Sequence, residues 1–320
     1  MERIKGTFEV KEALLNEIIA NKLINIKELD RLSGGKNSDT YIAKTNDKNK
    51  YIVKIYPGKN GSYEQSMRNK REETFLRYCE EYNIKNTPRL LVSDKEGKWI
   101  IMSWLNGERV KRIDDEYINS FVDFLEKLNE EKPATANKYK HKAKDSYVSI
   151  KNTINENQKR YNDILFDSEI SEEIRLWVQS ETKKKIETLG QDNCDQTNRD
   201  RLILSPSDVG IQNSLRMNNE FMFFDFEYGG LDDIHKTICD MMLQPNHLLD
   251  ENKLRKIVDE IRKRRTIGTK VSSKVIHKLL NVYQVRWILI MAKHVKSTKY
   301  LEEYNKRTKD IAIKLRSYLN

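Results

Sequence analysis

Residues 202–230 read LILSPSDVGIQNSLRMNNEFMFFDFEYGG, and the reading of the whole chain turns on them. Leu202–Leu204 form a short apolar run, the pattern of a buried strand. SPSDVGIQN then supplies Asp208 and, five residues later, Asn213, with Val209 and Gly210 between them. Residues 213–215 and 221–224 read as the two arms of a hairpin whose turn lies at Arg216 to Glu220. The second arm runs straight into Asp225. A strand, a loop with one carboxylate, a hairpin and a second carboxylate are thereby fixed in order.

D-x-x-x-x-N followed by D-F-E is an arrangement that suits phosphoryl transfer. One aspartate orients an attacking hydroxyl and takes its proton, while an asparagine and a second aspartate supply hard oxygen donors for magnesium. A D-x-x-x-x-N alone is common in loops. Its specificity comes from the hairpin and the DFE that follow it, and from what precedes it.

Working outward, residues 26–56 read as three antiparallel strands, about 26–33, 39–45 and 50–56, joined by SGGKN and TNDKNK. Ahead of them, VKEALLNEIIANKL (residues 10–23) has its apolar residues at helical spacing. Lys54 sits among Ile52, Val53 and Ile55, where a lysine is costly unless it is paired or reaches water. A partner is expected on the next helix, residues 62–82. Glu72 is on its apolar side, with Phe75, Leu76 and Cys79 at i+3, i+4 and i+7; Glu73, one position round, is the alternative. Two further strands follow, joined by a turn at Asp94 to Lys98, and end in IIMSWLNGE.

The sequence resembles the aminoglycoside phosphotransferase and choline kinase-like family, which shares the protein-kinase fold. The matching features run from about Ser33 to Asp233: a glycine pair, a strand lysine, a helix glutamate, a linking strand, the catalytic segment and the second aspartate, in that order. The resemblance implies an α+β, two-lobe fold, with a small antiparallel sheet in an N-lobe (residues 1–105) and a mainly helical C-lobe (106–320). Within the C-lobe it implies a helical insert, about 130–200, that walls the acceptor site. It implies that Gly34, Gly35 and Ser38 cover phosphates and that Lys54, held by Glu72, contacts the α- and β-phosphates. Met102 would lie behind the base, with the backbone of Ser103 to Leu105 along its edge. Asp208 would be the catalytic base, and Asn213 and Asp225 would hold Mg²⁺. Asp233 matches an aspartate that such families carry about eight residues past the metal ligand. The implied activity is transfer of the γ-phosphate of ATP or GTP to a small-molecule hydroxyl. A kinase-like module with impaired catalysis, binding nucleotide or a partner, is the other reading.

Two positions depart from the pattern. Pro206 stands where the family usually has a histidine two residues before the catalytic aspartate, and Thr237 stands where relatives often carry an acid. Proline can stiffen the loop by fixing φ, and Ser205 or Ser207 can replace a hydrogen bond.

The rest of the C-lobe reads as helices at 114–128, 146–165, 171–189, 251–264, 272–296 and 299–319, with polar loops at 133–144 and 191–201. In VYQVRWILIMAKHV apolar residues nearly surround the helix, so it is expected at the centre. RKRR (Arg262 to Arg265) reads as a solvated helix end.

Composition narrows the function further. No run of about eighteen apolar residues exists to span a membrane. The first residues are mixed in charge and lack the apolar core of a secretion signal. Three cysteines without metal spacing fit a reducing cytoplasm. The formal net charge of +10 is uneven: residues 251–320 carry 19 Lys and Arg against 6 Asp and Glu, and the first 250 carry 40 against 43. The basic helices could meet an anionic surface or nucleic acid, but solvated faces are the plainer reading. A polycationic antibiotic needs an acidic cleft. Asp163, Asp167, Glu169, Glu172 and Glu173 have basic neighbours, so a sugar, an amino alcohol or an envelope precursor suits the charge better. A choline-type ligand would need an aromatic cage, for which Tyr147, Tyr161, Trp177, Tyr283 and Trp287 are the candidates, although aromatics at helical spacing more often pack a core.

Overall fold

The computed structural model describes residues 24–32, 38–56, 63–190, 195–208, 210–247 and 249–319, together with Asn16 and Ile18. The expected leading helix therefore lies almost wholly outside the described residues. The chain divides into two compact units, residues 1–106 and 107–320.

The first unit is a five-stranded antiparallel sheet with one helix. Strands β1 (Ile26–Arg31), β2 (Asp39–Thr45) and β3 (Lys50–Ile55) form a meander. Helix α1 (Tyr63–Glu81) follows, then β4 (Leu90–Ser93) and β5 (Trp99–Ser103), and the sheet order is β1-β2-β3-β5-β4. The period-two alternation decides which side chains meet. Tyr41, Ala43, Val53, Ile55, Trp99 and Ile101 join Ile18 and Ile26 in one buried cluster. Lys54 alternates to the other face, opposite Thr40 on β2 and Ile100 on β5.

The second unit is mainly helical. After the short strand β6 (Glu108–Arg109) come α2 (Asp115–Asn129), α3 (Ile150–Phe166) and α4 (Glu172–Leu189). Each begins on an oxygen-bearing cap: Asp114 accepts from the Tyr117 amide, Ser149 from Asn152 and Ser171 from Ile174. Helix α3 starts at Ile150 and not at Ser146 as the periodicity suggests. Residues 147–149 are held extended instead, because the Tyr147 amide donates to Asp232 and Ser149 bridges Gln196. Residues 133–144 form no helix, as expected.

Strand β7 (Leu202–Ser205) leads to the Asp208 loop. The hairpin β8 (Ser214–Met217) and β9 (Glu220–Phe223) follows, then β10 (Gly230–Asp233). The hairpin turn is tighter than the sequence indicates, since only Asn218 and Asn219 turn, with φ of 50° and 63°. Two left-handed residues make the mirror-image turn that matches strand twist, and asparagine tolerates that region. Strand β10 pairs antiparallel with β7, setting Gly230 opposite Ser205. Only glycine fits there, because a Cβ would lie 2.5 Å from the Ala143 nitrogen.

Helices α5 (Ile234–Leu243), α6 (Glu251–Arg262), α7 (Ser273–Ala292) and α8 (Lys299–Leu319) complete the unit. Helices α6 and α7 stop two and four residues before the periodicity predicts. Helix α7 is central as expected: Val282, Tyr283, Val285, Ile288 and Leu289 are all fully buried. The architecture is α+β, with an antiparallel N-terminal sheet and a mainly helical C-terminal part. Among the described residues, no helix is long and apolar enough to cross a membrane.

Candidate functional site

In the first unit, Lys54 and Glu72 meet in the interior. The Lys54 Nζ lies 2.6 Å from Glu72 Oε2, and the two side chains are 5 % and 1 % exposed. Such burial is tolerable where each charge is paired. Glu72 also accepts a 2.6 Å hydrogen bond from the Tyr56 hydroxyl. Glu73 takes no part: it sits one position round the helix and pairs with Arg77. Tyr56, just past β3, escaped the sequence reading. Its only signal is the place two residues beyond the lysine, on the same face of an extended chain.

Met102 is buried on β5, opposite Ile52 and Leu90. Leu105 follows the strand, half-buried. The Ser103 amide donates to the Arg89 carbonyl at 2.9 Å, and the Ser103 hydroxyl accepts from the Arg89 amide. The Ser103 amide is therefore taken up by the sheet edge. Ser38 is buried immediately before β2. Gly34 and Gly35 lie outside the described residues.

In the second unit, the hairpin fixes Asn213 and Asp225. Phe221 and Phe223 on β9 pack on helix α2: Phe221 meets the Tyr117 ring edge-on at 5.2 Å, and Phe223 stacks on Phe124 at 4.7 Å. Asn213 stands immediately before β8 and Asp225 two residues after β9, so a rigid two-stranded element spaces them. The Asn213 amide nitrogen donates to the Asp208 carbonyl at 3.0 Å and to its carboxylate at 3.2 Å. This leaves Oδ1 as the atom Asn213 can offer a cation.

Asp208 is half-buried and accepts further bonds to Oδ1 from Gln244 (3.3 Å) and Gln212 (3.5 Å). Burial, and then the charge of Asp225, push its carboxyl up to about 6, with smaller contributions in the same direction from Asp240 and Glu227. Carboxylates crowded in this way suit a divalent cation, which would relieve their repulsion. The donors present, a side-chain amide oxygen and carboxylates, are the hard ligands magnesium takes. A carboxylate oxygen of buried Glu227 lies within 4.8 Å of one on Asp225. Glu227 and Gln244 were both missed from the sequence. Glu227 had a signal in the DFE motif, whereas Gln244 reaches Asp208 only through the fold.

Asp233 caps α5 and is fully buried. It pairs with Arg201 at 2.7 Å and with His235 at 2.7 Å. Burial works against its charge, but the His235 hydrogen bond and the Arg201 guanidinium help hold its carboxyl below the ordinary range. Lys236 lies between Asp232 and Asp240, 2.7 Å from each.

Of the five aromatic candidates, Trp177 and Trp287 are half-buried. Tyr147, Tyr161 and Tyr283 are buried. Arg201 lies over the Tyr147 ring at 5.7 Å and Arg286 over the Tyr283 ring at 5.6 Å, so the protein's own guanidinium groups occupy those faces.

No family model matches the sequence, and no curated protein matches it at the sequence level. Solved structures share its fold. A choline kinase from Cryptosporidium parvum Iowa II superposes with a TM-score of 0.63 at 15 % identity, covering 96 % of each chain. A spectinomycin phosphotransferase in complex with ADP and spectinomycin gives 0.64 at 14 % identity, covering 96 % of this chain and 97 % of that one. The choline kinase LicA from Streptococcus pneumoniae gives 0.59 at 16 % identity, covering 96 % and 99 %. The fold is that of the choline kinases and aminoglycoside phosphotransferases, the one the sequence resembles.

Proposed function

We propose that this chain transfers the γ-phosphoryl group of a nucleoside triphosphate to a hydroxyl of a small molecule. The observation that carries the proposal is the Asp208 carboxylate. It is held by Asn213, Gln212 and Gln244, raised in basicity by burial and by Asp225, and set on a fold shared with choline kinases and ADP-binding phosphotransferases.

In this reading Lys54, locked to Glu72, binds the α- and β-phosphates. Asn213 and Asp225, assisted by Glu227, would hold magnesium, which would supply charge neutralisation for the transferred phosphate. Asp208 accepts the hydrogen bond of the acceptor hydroxyl and aims its oxygen at the γ-phosphorus. A bond forms between that oxygen and phosphorus, and the bond to the β–γ bridging oxygen breaks. The nucleoside diphosphate leaves with the electron pair, and the hydroxyl proton passes to Asp208 and on to solvent. The rate enhancement then comes mostly from positioning and electrostatics. The acceptor is a neutral or anionic hydroxylated metabolite. Arginines cover the faces of Tyr147 and Tyr283, which speaks against a choline-type ligand there.

The test is thermal melting with ATP or GTP, with and without MgCl₂, on the wild type and Asp225→Asn, together with Mg²⁺-dependent phosphate release. A ligand that binds only the folded state raises the melting temperature by mass action. The expected result is a magnesium-dependent shift and turnover in the wild type, both lost or weakened in the variant. A shift without turnover would favour the impaired module. Turnover retained by Asp225→Asn would overturn the metal assignment.

A further inference from the structure

Asp208 sits in a loop whose backbone is under strain. The Asp208 amide donates to the Pro206 carbonyl at 2.9 Å, two residues back, and the residue between them, Ser207, has φ of 64°. A three-residue turn closed in this way around a left-handed non-glycine residue is of the rare, strained kind. Such a conformation persists only where its surroundings over-determine it. Asn213 bonds Asp208 directly, and further hydrogen bonds grip the loop at its two ends.

At the start of the loop, the Ser205 hydroxyl accepts from the Ser207 amide at 3.1 Å and from the Thr237 hydroxyl of α5 at 2.9 Å. At its end, the Ser214 hydroxyl donates to the Gly210 carbonyl at 3.0 Å and lies 2.9 Å from the Tyr117 hydroxyl of α2. Ser205, Thr237, Ser214 and Tyr117 are each no more than 1 % exposed, so no water competes for these bonds. Pro206 removes one backbone donor from the same turn and fixes one φ.

We propose that two hydroxyl relays, Thr237–Ser205 from one helix and Tyr117–Ser214 from another, position Asp208 for the transfer. The four residues are positioning residues: they set where the Asp208 carboxylate stands and contact neither nucleotide nor acceptor. The proposal rests on the phosphotransfer reading. It also gives the two departures from the family pattern a common physical meaning, since Thr237 stands at one of them and its relay braces the loop beside the other, Pro206.

The test compares wild type, Ser205→Ala/Ser214→Ala and Asp208→Asn, alone and combined, by Mg²⁺-dependent phosphate release from radiolabelled ATP or GTP. The expected result is a kcat roughly ten- to a hundredfold lower in the serine pair, with nucleotide KM within about twofold of wild type. In the Asp208→Asn background the serine substitutions should cause no further loss, because their effect runs through the carboxylate. Thr237→Ser, which keeps the hydroxyl, should behave as wild type, and Thr237→Val should not. Should the serine pair fail to fold, Thr237→Val/Tyr117→Phe, which removes two hydroxyls at nearly constant shape, is judged by the same criteria. Wild-type kcat in these variants, with Asp208→Asn inactive, would overturn the relays alone, as would an equal further loss in the Asp208→Asn background. Full turnover by Asp208→Asn would instead overturn the phosphotransfer reading.

Discussion

Asp208 is held where its charge is expensive. An acid whose folded-state pKa is raised binds more protons folded than unfolded between the two values. Its destabilising effect therefore grows as pH rises from about 4 to about 6 and is present in full at neutral pH. Asparagine keeps the shape and removes the charge. In the metal-free protein, Asp208→Asn should raise stability at pH 7 by on the order of 1–2 kcal/mol, allowing for partial exposure, and should have little effect at pH 4. Denaturant unfolding in EDTA at the two pH values decides it; an equal effect at both would mean that charge is not the cause. Glu72 is a buried carboxylate that pairs with Lys54 and accepts from the Tyr56 hydroxyl. Glu72→Gln should cost about 2–4 kcal/mol, because Lys54 loses its carboxylate partner in the interior. Glu73→Gln, at a half-exposed pair, should stay within about 0.5 kcal/mol. Thermal melting of both variants checks this, and similar losses would contradict the geometry. The choice between these neighbours was legible because helical spacing places Glu72, and not Glu73, with Phe75, Leu76 and Cys79. Tyr56 was not legible: nothing in a strand pattern says that a tyrosine at its end will turn to the lysine's partner.

At the scale of elements, the strands and the hairpin could be read because period-two alternation and turn residues are local signals. What could not be read is how β7 is braced. Its pairing partner β10 covers one edge. On the other, the Asn129 side chain at the end of α2 accepts from the Leu204 amide at 2.8 Å and donates to the Leu204 carbonyl at 3.1 Å, as a neighbouring strand would. Seventy-five residues separate the two, and an asparagine closing an amphipathic helix reads as an ordinary helix end. Asn129→Ala would leave a buried amide and a buried carbonyl unpaired. We expect a loss of about 2–4 kcal/mol, measured by urea unfolding. A loss below about 0.5 kcal/mol would show that water or a neighbouring chain segment takes over both bonds. The same limit explains the relays: Ser205 and Thr237 are meaningful only once α5 has been laid against β7, and the sequence places them 32 residues apart. Where the start of α3 was misplaced, the cause was likewise tertiary. Residues 147–149 keep an extended form because Asp232 takes the Tyr147 amide.

For the second unit as a whole, the charge asymmetry of the sequence changes its meaning on folding. Residues 107–250 hold 20 basic and 28 acidic side chains, and residues 251–320 hold 19 and 6, so an acidic segment is followed by a basic one. In the fold the basic segment supplies counter-ions to the acidic one. Lys256 pairs with Asp115, Arg264 with Asp123, Lys293 with Asp163 and Lys309 with Glu181. Arg286, 6 % exposed on the central helix, reaches both Asp145 at 2.7 Å and Glu156 at 3.1 Å. Five of the segment's 19 basic side chains are thus matched to acids in the preceding segment. Most of these pairs are half-exposed and each contributes little. Arg286 is different because its charge is buried and it reaches two carboxylates. Arg286→Met should cost about 1–3 kcal/mol, moderated by the solvent reach of Asp145 and Glu156. Lys299→Ala, an exposed position in the same basic segment, should stay within about 0.5 kcal/mol. Equal losses at the two positions, read by denaturant unfolding at one salt concentration, would mean that net charge matters and this pairing does not. A loss confined to Arg286 would mean that the acidic and basic segments hold the unit together by where their charges meet.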